Sequence, residues 1–263
     1  MRKFLARPPA GRVFTAAMRV RSTDVTPLGR LRFDALARFL QQAAEDDLAD
    51  AGWDEPYDWA VRKTTVTIRE FPRFDSRVWL HTFCSATGPR WAERTTTVAG
   101  PDGDLMQATA VWAAVARADG RPALLGPEFH RLYDGSAQGR SVSVRLSHPR
   151  PPAVPAGGAW PLRASDFDAR GHVNNAVHWA AVEDVLAGLD WLPDGAELEY
   201  HRPVLPGCDP YLAASHEKDQ VSLWLLDGTR RLASARLSRL SRLSLRGDGR
   251  PAGTAASNGN RAG

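Results

Sequence analysis

The chain repeats itself. Arg21, Asp24 and Gly29 recur as Arg163, Asp166 and Gly171 at one offset of 142 residues, and Thr23, Val25 and Leu31 meet Ser165, Phe167 and Val173 at the same offset. Three identities carry little weight alone. The order of elements around them repeats as well, and that makes an internal duplication the strongest constraint on the fold. In the first copy VFTAAMRV reads as a strand. A helix follows, with Phe33, Leu36, Leu40, Ala44 and Leu48 at three- and four-residue steps and Gly52 just past its end. Strand-like runs VRKTTVTI, RVWLHTF, RWAERTTTVAG and LMQATAVWAAV come next, the last two joined through Pro101-Asp102-Gly103-Asp104. In the second copy WPLRASDFDARGHVNN leads into a helix with Val182, Val185, Leu186 and Leu189 on one face. AELEYHR, YLAASHE, VSLWLL and RRLASARL follow, with Asp227-Gly228 as a turn.

One long helix followed by antiparallel strands, twice, predicts an α+β protein. A tandem (double) hotdog, two antiparallel sheets each wrapping one long helix, fits these lengths; another α+β sandwich stands beside it on pattern alone. The expected units are residues 13–133, a Pro/Gly/Ser-rich linker at 134–157, residues 158–245, and a tail at 246–263. The tail has no large apolar residue and is expected to be disordered. The SRLSRLSL run before it, residues 238–245, has a period of three, which fits neither strand nor helix.

Composition bounds the function classes. Of 263 residues 43% are apolar and 24% charged, as in ordinary globular proteins. No apolar run approaches the roughly 20 residues of a membrane helix, and the start MRKFLARPPAGR lacks the apolar core of a secretory signal. Basic residues number 34 against 30 acidic. The base is nearly all Arg, with no like-charge block and no basic stripe interleaved with aromatics, so nucleic acid is not an expected partner. Cys84 and Cys208 form no CxxC and have no zinc-like spacing to His; they read as reduced thiols of a cytoplasmic protein. GxSxG, GxGxxG, P-loop and HExxH patterns are absent.

The segment from Asp166 to Asn175, DFDARGHVNN, concentrates the chemistry. It places two carboxylates, an imidazole and two carboxamides before a helix start that Asn174 or Asn175 can cap. Free N–H groups at such a terminus, expected near Val173 and Asn174, can hold an oxyanion. Asp168 and His172 can activate a water beside it. A capped turn alone would also contain Asp, Gly and Asn. The repeat separates the two readings: Gly29, Gly171, Asp24 and Asp166 persist in both copies and are assigned to structure. Asp168 faces Thr26 and His172 faces Arg30, so the reactive types occur only in the second copy.

DFDARGHVNNAVHW resembles the D-x-D-x-x-x-H-V-N-N signature of acyl-acyl-carrier-protein (acyl-ACP) thioesterases. GRLRFDALARFLQQAAEDDLADAG is similar to the opening helix of their bacterial members, and the resemblance spans roughly 13–240. It implies a double hotdog that hydrolyses fatty acyl-ACP to fatty acid and carrier. The second half would be catalytic and the first would help form the acyl tunnel. It implies Asp168 and His172 as catalytic residues, with Asn174 and Asn175 in the same motif, no cofactor and no metal. The acidic acyl carrier protein would dock on an Arg-rich rim, and a homodimer is compatible with the family. Arg170 stands where plant members have Asn, Pro203 and Val204 where they have an acid and Cys, and His178 where Tyr is usual. Asn174, Asn175, Glu199 or His201 are the candidates to supply the missing polar groups. A non-catalytic acyl-thioester binder, an acyl-coenzyme A thioesterase and a hotdog dehydratase are the alternatives.

Overall fold

A computed structural model of the chain describes residues 3–52, 57–153 and 156–239. Strand β1 (Phe14–Arg19) is followed by helix α1 (Phe33–Ala51), then β2 (Tyr57–Ile68), β3 (Arg77–Thr87), β4 (Trp91–Gly100), β5 (Gly103–Ala116) and helix α2 (Pro127–Ala137). The second half runs β6 (Gly157–Ala159), α3 (Asn175–Leu186), β7 (Gly195–Tyr200), β8 (Tyr211–Glu217), β9 (Gln220–Asp227) and β10 (Arg230–Ser238). This is the double hotdog expected from the repeat. The two sheets are continuous: they join edge to edge through antiparallel β2 and β7, giving ten strands in the order β1-β3-β4-β5-β2-β7-β10-β9-β8-β6. The join covers the edge that each half would otherwise expose along its longest side.

The duplication is visible bond by bond. In each half a short 3-10 turn precedes the helix, Ser22–Asp24 and Ala164–Asp166. Asp24 accepts the N–H of Arg21 at 2.9 Å, and Asp166 that of Arg163 at 2.7 Å. Arg32 N–H donates to the Asp24 carbonyl, and Asn174 N–H to that of Asp166, both at 2.9 Å. Gly29 and Gly171 turn the loop at φ 77° and 74°, a region that costs a residue with Cβ about 1–2 kcal/mol. The four residues assigned to structure therefore do the same work twice.

Helix α1 buries the stripe headed by Phe33 and Leu36 and ends at Gly52 with φ 63°. Helix α3 is buried on most sides, by Trp179, Val182, Glu183 and Leu186 among others, and packs on α1, where Phe33 stacks on Trp179 at 5.3 Å. It ends at Leu186, so Leu189 packs from the turn beyond it. Both predicted hairpins form, β4–β5 at Pro101-Asp102 and β9–β10 at Asp227-Gly228.

Three features differ from the sequence reading. Helix α2 was not expected, although Pro127 at its first turn and Phe129 and Tyr133 four residues apart are its signature. It runs into the first residues of the expected linker. The rest of the linker is held in place: Glu199, fully buried on β7, accepts the N–H groups of Ser147 at 2.6 Å and His148 at 3.1 Å. The short β6 pairs with β8. The tail at 246–263 and residues 240–245 of the SRLSRLSL run lie outside the described residues.

Candidate active site

A cavity of about 290 Å³ lies where the two halves meet. Helix α1 contributes Gln41, Ala44, Glu45 and Leu48; β2 to β5 contribute Trp59, Cys84, Arg94 and Trp112; α2 contributes Phe129 and Tyr133. The second half supplies Asp168, Ala169, Arg170 and Asn175. A single chain therefore builds both sides of the site. Ala169 and Arg170 are exposed while Cys84 and Tyr133 are buried, so the mouth is at the Asp168 loop and the closed end lies among β3, β4 and α2.

The loop is held rigidly. Asp168 N–H donates to the His172 carbonyl, and Gly171 N–H to the Asp168 carbonyl, both at 2.9 Å. One carboxylate oxygen of Asp168 accepts the N–H of Arg170 at 2.9 Å. The other oxygen is left for the cavity. Arg170, in place of the plant Asn, reaches across to the first half, donating to Asp58 at 3.3 Å and to the Trp59 carbonyl at 3.4 Å. These bonds tie the Asp168 loop to β2.

Asn174 is the N-cap of α3, its side chain accepting Ala176 N–H at 2.9 Å while its amide donates to Gln41 at 3.4 Å. The donors expected for an oxyanion, Val173 and Asn174 N–H, are not free. They donate to the carbonyls of Val204 and Asp166, both at 2.9 Å. The orphan at this helix end is one residue later. Asn175 occupies the first helical position, lines the cavity, and its N–H has no partner among the described residues. The repeat could have revealed this, because its counterpart Phe33 N–H binds a carboxylate oxygen of Glu183 at 2.6 Å. An anionic oxygen at the first helical N–H is thus already present in one copy.

Of the four predicted residues, Asp168 and Asn175 meet in the cavity, and Asn174 supports them from the cap. His172 is exposed on the outer side of the loop, among residues that do not line the cavity, and serves the turn through its backbone carbonyl. The other proposed substitutes lie behind the sheet. Glu199 is engaged by the linker, and His201 bonds Ser234 at 2.9 Å. Pro203 is exposed, and Val204 is buried where it receives the Val173 N–H.

Cys84 and Cys208 are both free thiols. Burial pushes the Cys84 thiol up to about 12, so it is neutral and not nucleophilic near pH 7. His148, Glu197 and Glu199 place metal-type donors within 4.8 Å of one another. Both His148 nitrogens are already bonded, to Ser234 at 3.0 Å and to Glu197 at 2.8 Å, and both Glu199 oxygens hold linker amides. The cluster is satisfied as a clamp on the linker.

Fold and cavity together define a double-hotdog protein with a cavity between its two halves. Residues 11–133 match the family model of the acyl-ACP thioesterase N-terminal domain. An uncharacterized protein of Mycobacterium tuberculosis is 27% identical over 237 residues, covering 89% of this chain and 95% of that one. A Lactobacillus plantarum protein described as an oleoyl thioesterase shares the fold at TM-score 0.74 and 21% identity, covering 89% of this chain and 99% of its own. The 12:0-ACP thioesterase of Umbellularia californica does so at TM-score 0.72 and 18% identity, over 86% and 96%. No described helix is long and apolar enough to cross a membrane.

Proposed function

We propose that Asp168 and the N–H of Asn175 form the working pair that hydrolyses a fatty acyl thioester carried on acyl carrier protein. The observation that carries this reading is their convergence: Asp168, a half-buried carboxylate with one oxygen uncommitted among the described residues, and Asn175, whose helix-terminal N–H has no described partner, line one cavity whose wall also holds Trp59, Trp112, Phe129 and Leu48. The acyl chain fills that wall. Its carbonyl oxygen accepts from Asn175 N–H, where the positive end of α3 also favours developing charge. Asp168 takes a proton from water as the water oxygen bonds the carbonyl carbon. The tetrahedral oxyanion collapses, the C–S bond breaks, and the carrier thiolate leaves and takes up the proton held by Asp168. The products are a free acid and a thiol.

His172 holds the Asp168 loop rather than moving a proton. Supply of acyl-ACP, an intermediate of cytoplasmic fatty acid synthesis, places the chain in the cytoplasm. The test is thiol release from purified protein with acyl-ACPs of graded length and the matching acyl-coenzyme A esters. Release of free acid from acyl-ACP at the higher kcat/KM is expected. Tight binding without release would make the chain a carrier-bound acyl receptor, and preference for the coenzyme A esters would reassign the carrier.

A further inference from the structure

The closed end of the cavity is not apolar. Arg94, on β4, lines it with a side chain only 15% exposed. One terminal nitrogen of Arg94 donates to Asp47 at 2.7 Å and to Thr82 at 3.3 Å. Asp47, itself 1% exposed, is shared: Arg12 Nε donates to it at 2.7 Å and the Tyr133 hydroxyl at 3.2 Å. One buried carboxylate thus serves two guanidinium groups and a phenol. The other acid on Arg12, Asp50, is 59% exposed and far better hydrated. Cys84, beside Arg94, stays a neutral thiol. Two further acids reach the lining: Glu93, which accepts from the Ser85 hydroxyl at 2.8 Å, and Glu45, which accepts from Gln41 at 3.0 Å.

This floor penalises a plain alkyl end. A methyl pressed against the guanidinium removes water from it and returns no hydrogen bond. An oxygen at that point restores the bond, and a site built to hydrogen-bond a substrate oxygen discriminates strongly against the analogue that lacks it. Glu93, next to Arg94 on β4, makes a carboxylate a poorer fit than a neutral acceptor. Asp168 and Arg94 line the same cavity, so an acyl chain entering past Asp168 runs toward Arg94.

We infer that the closed end of the cavity is a polar subsite in which Arg94 recognises a hydroxyl or keto oxygen near the far end of a medium-length acyl chain. The inference rests on the thioesterase reading for which end of the acyl group enters first, but not on turnover itself.

The experiment compares octanoyl-ACP with ω-hydroxyoctanoyl-ACP in turnover, and thioether analogues of pantetheine bearing octyl and ω-hydroxyoctyl chains in calorimetric binding. Adipoyl and octanoyl thioesters form a second pair that tests a carboxylate. The full chain should favour the hydroxylated partner at least tenfold in kcat/KM and in Kd, with the carboxylate below it. Arg94→Met should bring that ratio near one, and Arg94→Lys should leave an intermediate ratio. Arg12 still neutralises Asp47 in both variants, and thermal unfolding verifies that each is folded. Equal values for the two chains in the unmodified protein would overturn the subsite even if neither variant folds, and so would a preference that survives Arg94→Met. A preference in binding with no turnover of any thioester would keep the subsite and remove the hydrolase. Turnover without preference would do the reverse.

Discussion

The carboxylate of Glu183 on α3 accepts the backbone N–H of Phe33 at the start of α1, 2.6 Å away, while holding Arg30 through both oxygens at 3.0 and 2.7 Å. Arg30 is the repeat counterpart of His172, Phe33 of Asn175, and Glu183 of Gln41. In the first half the helix end is therefore filled from within by an internal anion. In the second half the neutral Gln41 engages the cap residue Asn174 instead, and the N–H of Asn175 has no partner among the described residues. The duplication thus sets the two helix ends apart.

That ion pair crosses between the halves and is only 9% exposed on each side. Removing one member strands the other in a low-dielectric interior, a loss of about 3–5 kcal/mol. Glu183→Ala should lower stability by that order in urea unfolding. Where the variant is folded, kcat should stay within a few-fold of the original, because the helix end it uncovers faces no carboxylate like Asp168. A folded variant without activity would mean that the first half performs chemistry.

Asp168→Asn should lower kcat by about 10²-fold or more, the scale of a lost proton acceptor, with little change in melting temperature. His172→Ala should cost only a few-fold, since the side chain is exposed and the loop uses its backbone carbonyl. Stopped thiol release for both variants decides it. Equal losses would return the imidazole to the chemistry.

Glu199 makes a different claim on stability. With Glu199→Ala the Ser147 and His148 N–H groups lose their acceptor, and each unsatisfied buried donor costs about 1–3 kcal/mol. The linker should loosen before the sheet melts. Trypsin cuts after Arg145, which is exposed beside the clamp, while Pro151 protects the bond after Arg150. Cleavage after Arg145 should accelerate by tenfold or more in the variant. Unchanged digestion would show that the linker is held by other contacts.

Acid should weaken the fold through its buried imidazoles. Burial drives His178 down from its ordinary 6.5 to about 4, and His201 falls to about 4 for the same reason with Arg231 adding to it. The unfolded chain binds these protons below pH 6.5, but the folded one only below about 4. Stability is therefore lost as pH falls through that window, by about 3 kcal/mol for His178. Glu197 extends the loss. Burial alone would raise it, yet hydrogen bonds from His148 and Lys63 hold it at about 2, so its contribution disappears as pH drops from about 4.5 toward 2. His178→Phe should remove about half of the slope between pH 6.5 and 4 in a series of unfolding curves. An unaltered slope would assign it elsewhere.

The fold was legible because duplication doubles every signal: two caps, two αL glycines and two helices at one offset constrain each other. The turn residues Asp24, Asp166, Gly29 and Gly171 could be separated from Asp168 by that comparison alone. The pairing of β2 with β7 was not legible, since which two edges meet depends on the twist of whole sheets rather than on any local pattern. Glu199 and His201 were site candidates because they lie in LEYHR, just before Pro203 and Val204, which stand where plant members have an acid and Cys. A strand's period of two sends residues 197, 199 and 201 to the face opposite Leu198 and Tyr200. The N–H without a described partner lies one residue beyond those expected, because which N–H at a helix end is orphaned depends on what the preceding loop's carbonyls accept.

Asn175 provides the sharpest test of the site, because its side chain and its N–H can be separated. It occupies the first helical position, where proline is well accommodated: the N–H has no helical partner and φ is already in the proline range. Its predecessor Asn174 sits at φ −60° and ψ 144°, the extended conformation a residue before proline requires. Asn175→Pro should therefore fold with a melting temperature close to that of the unaltered chain. It deletes one donor aimed at the developing oxyanion, a loss of about 10²–10³ in kcat, with KM changed far less because the ground-state carbonyl needs the donor less. Asn175→Ala keeps the N–H and removes only the carboxamide from the cavity wall, so its kcat should lie well above that of the proline variant. A proline variant that is folded, binds acyl thioether analogues normally and turns over at the original rate would remove Asn175 N–H from the mechanism. A drop shared equally by both variants would move the effect from the backbone to the side chain.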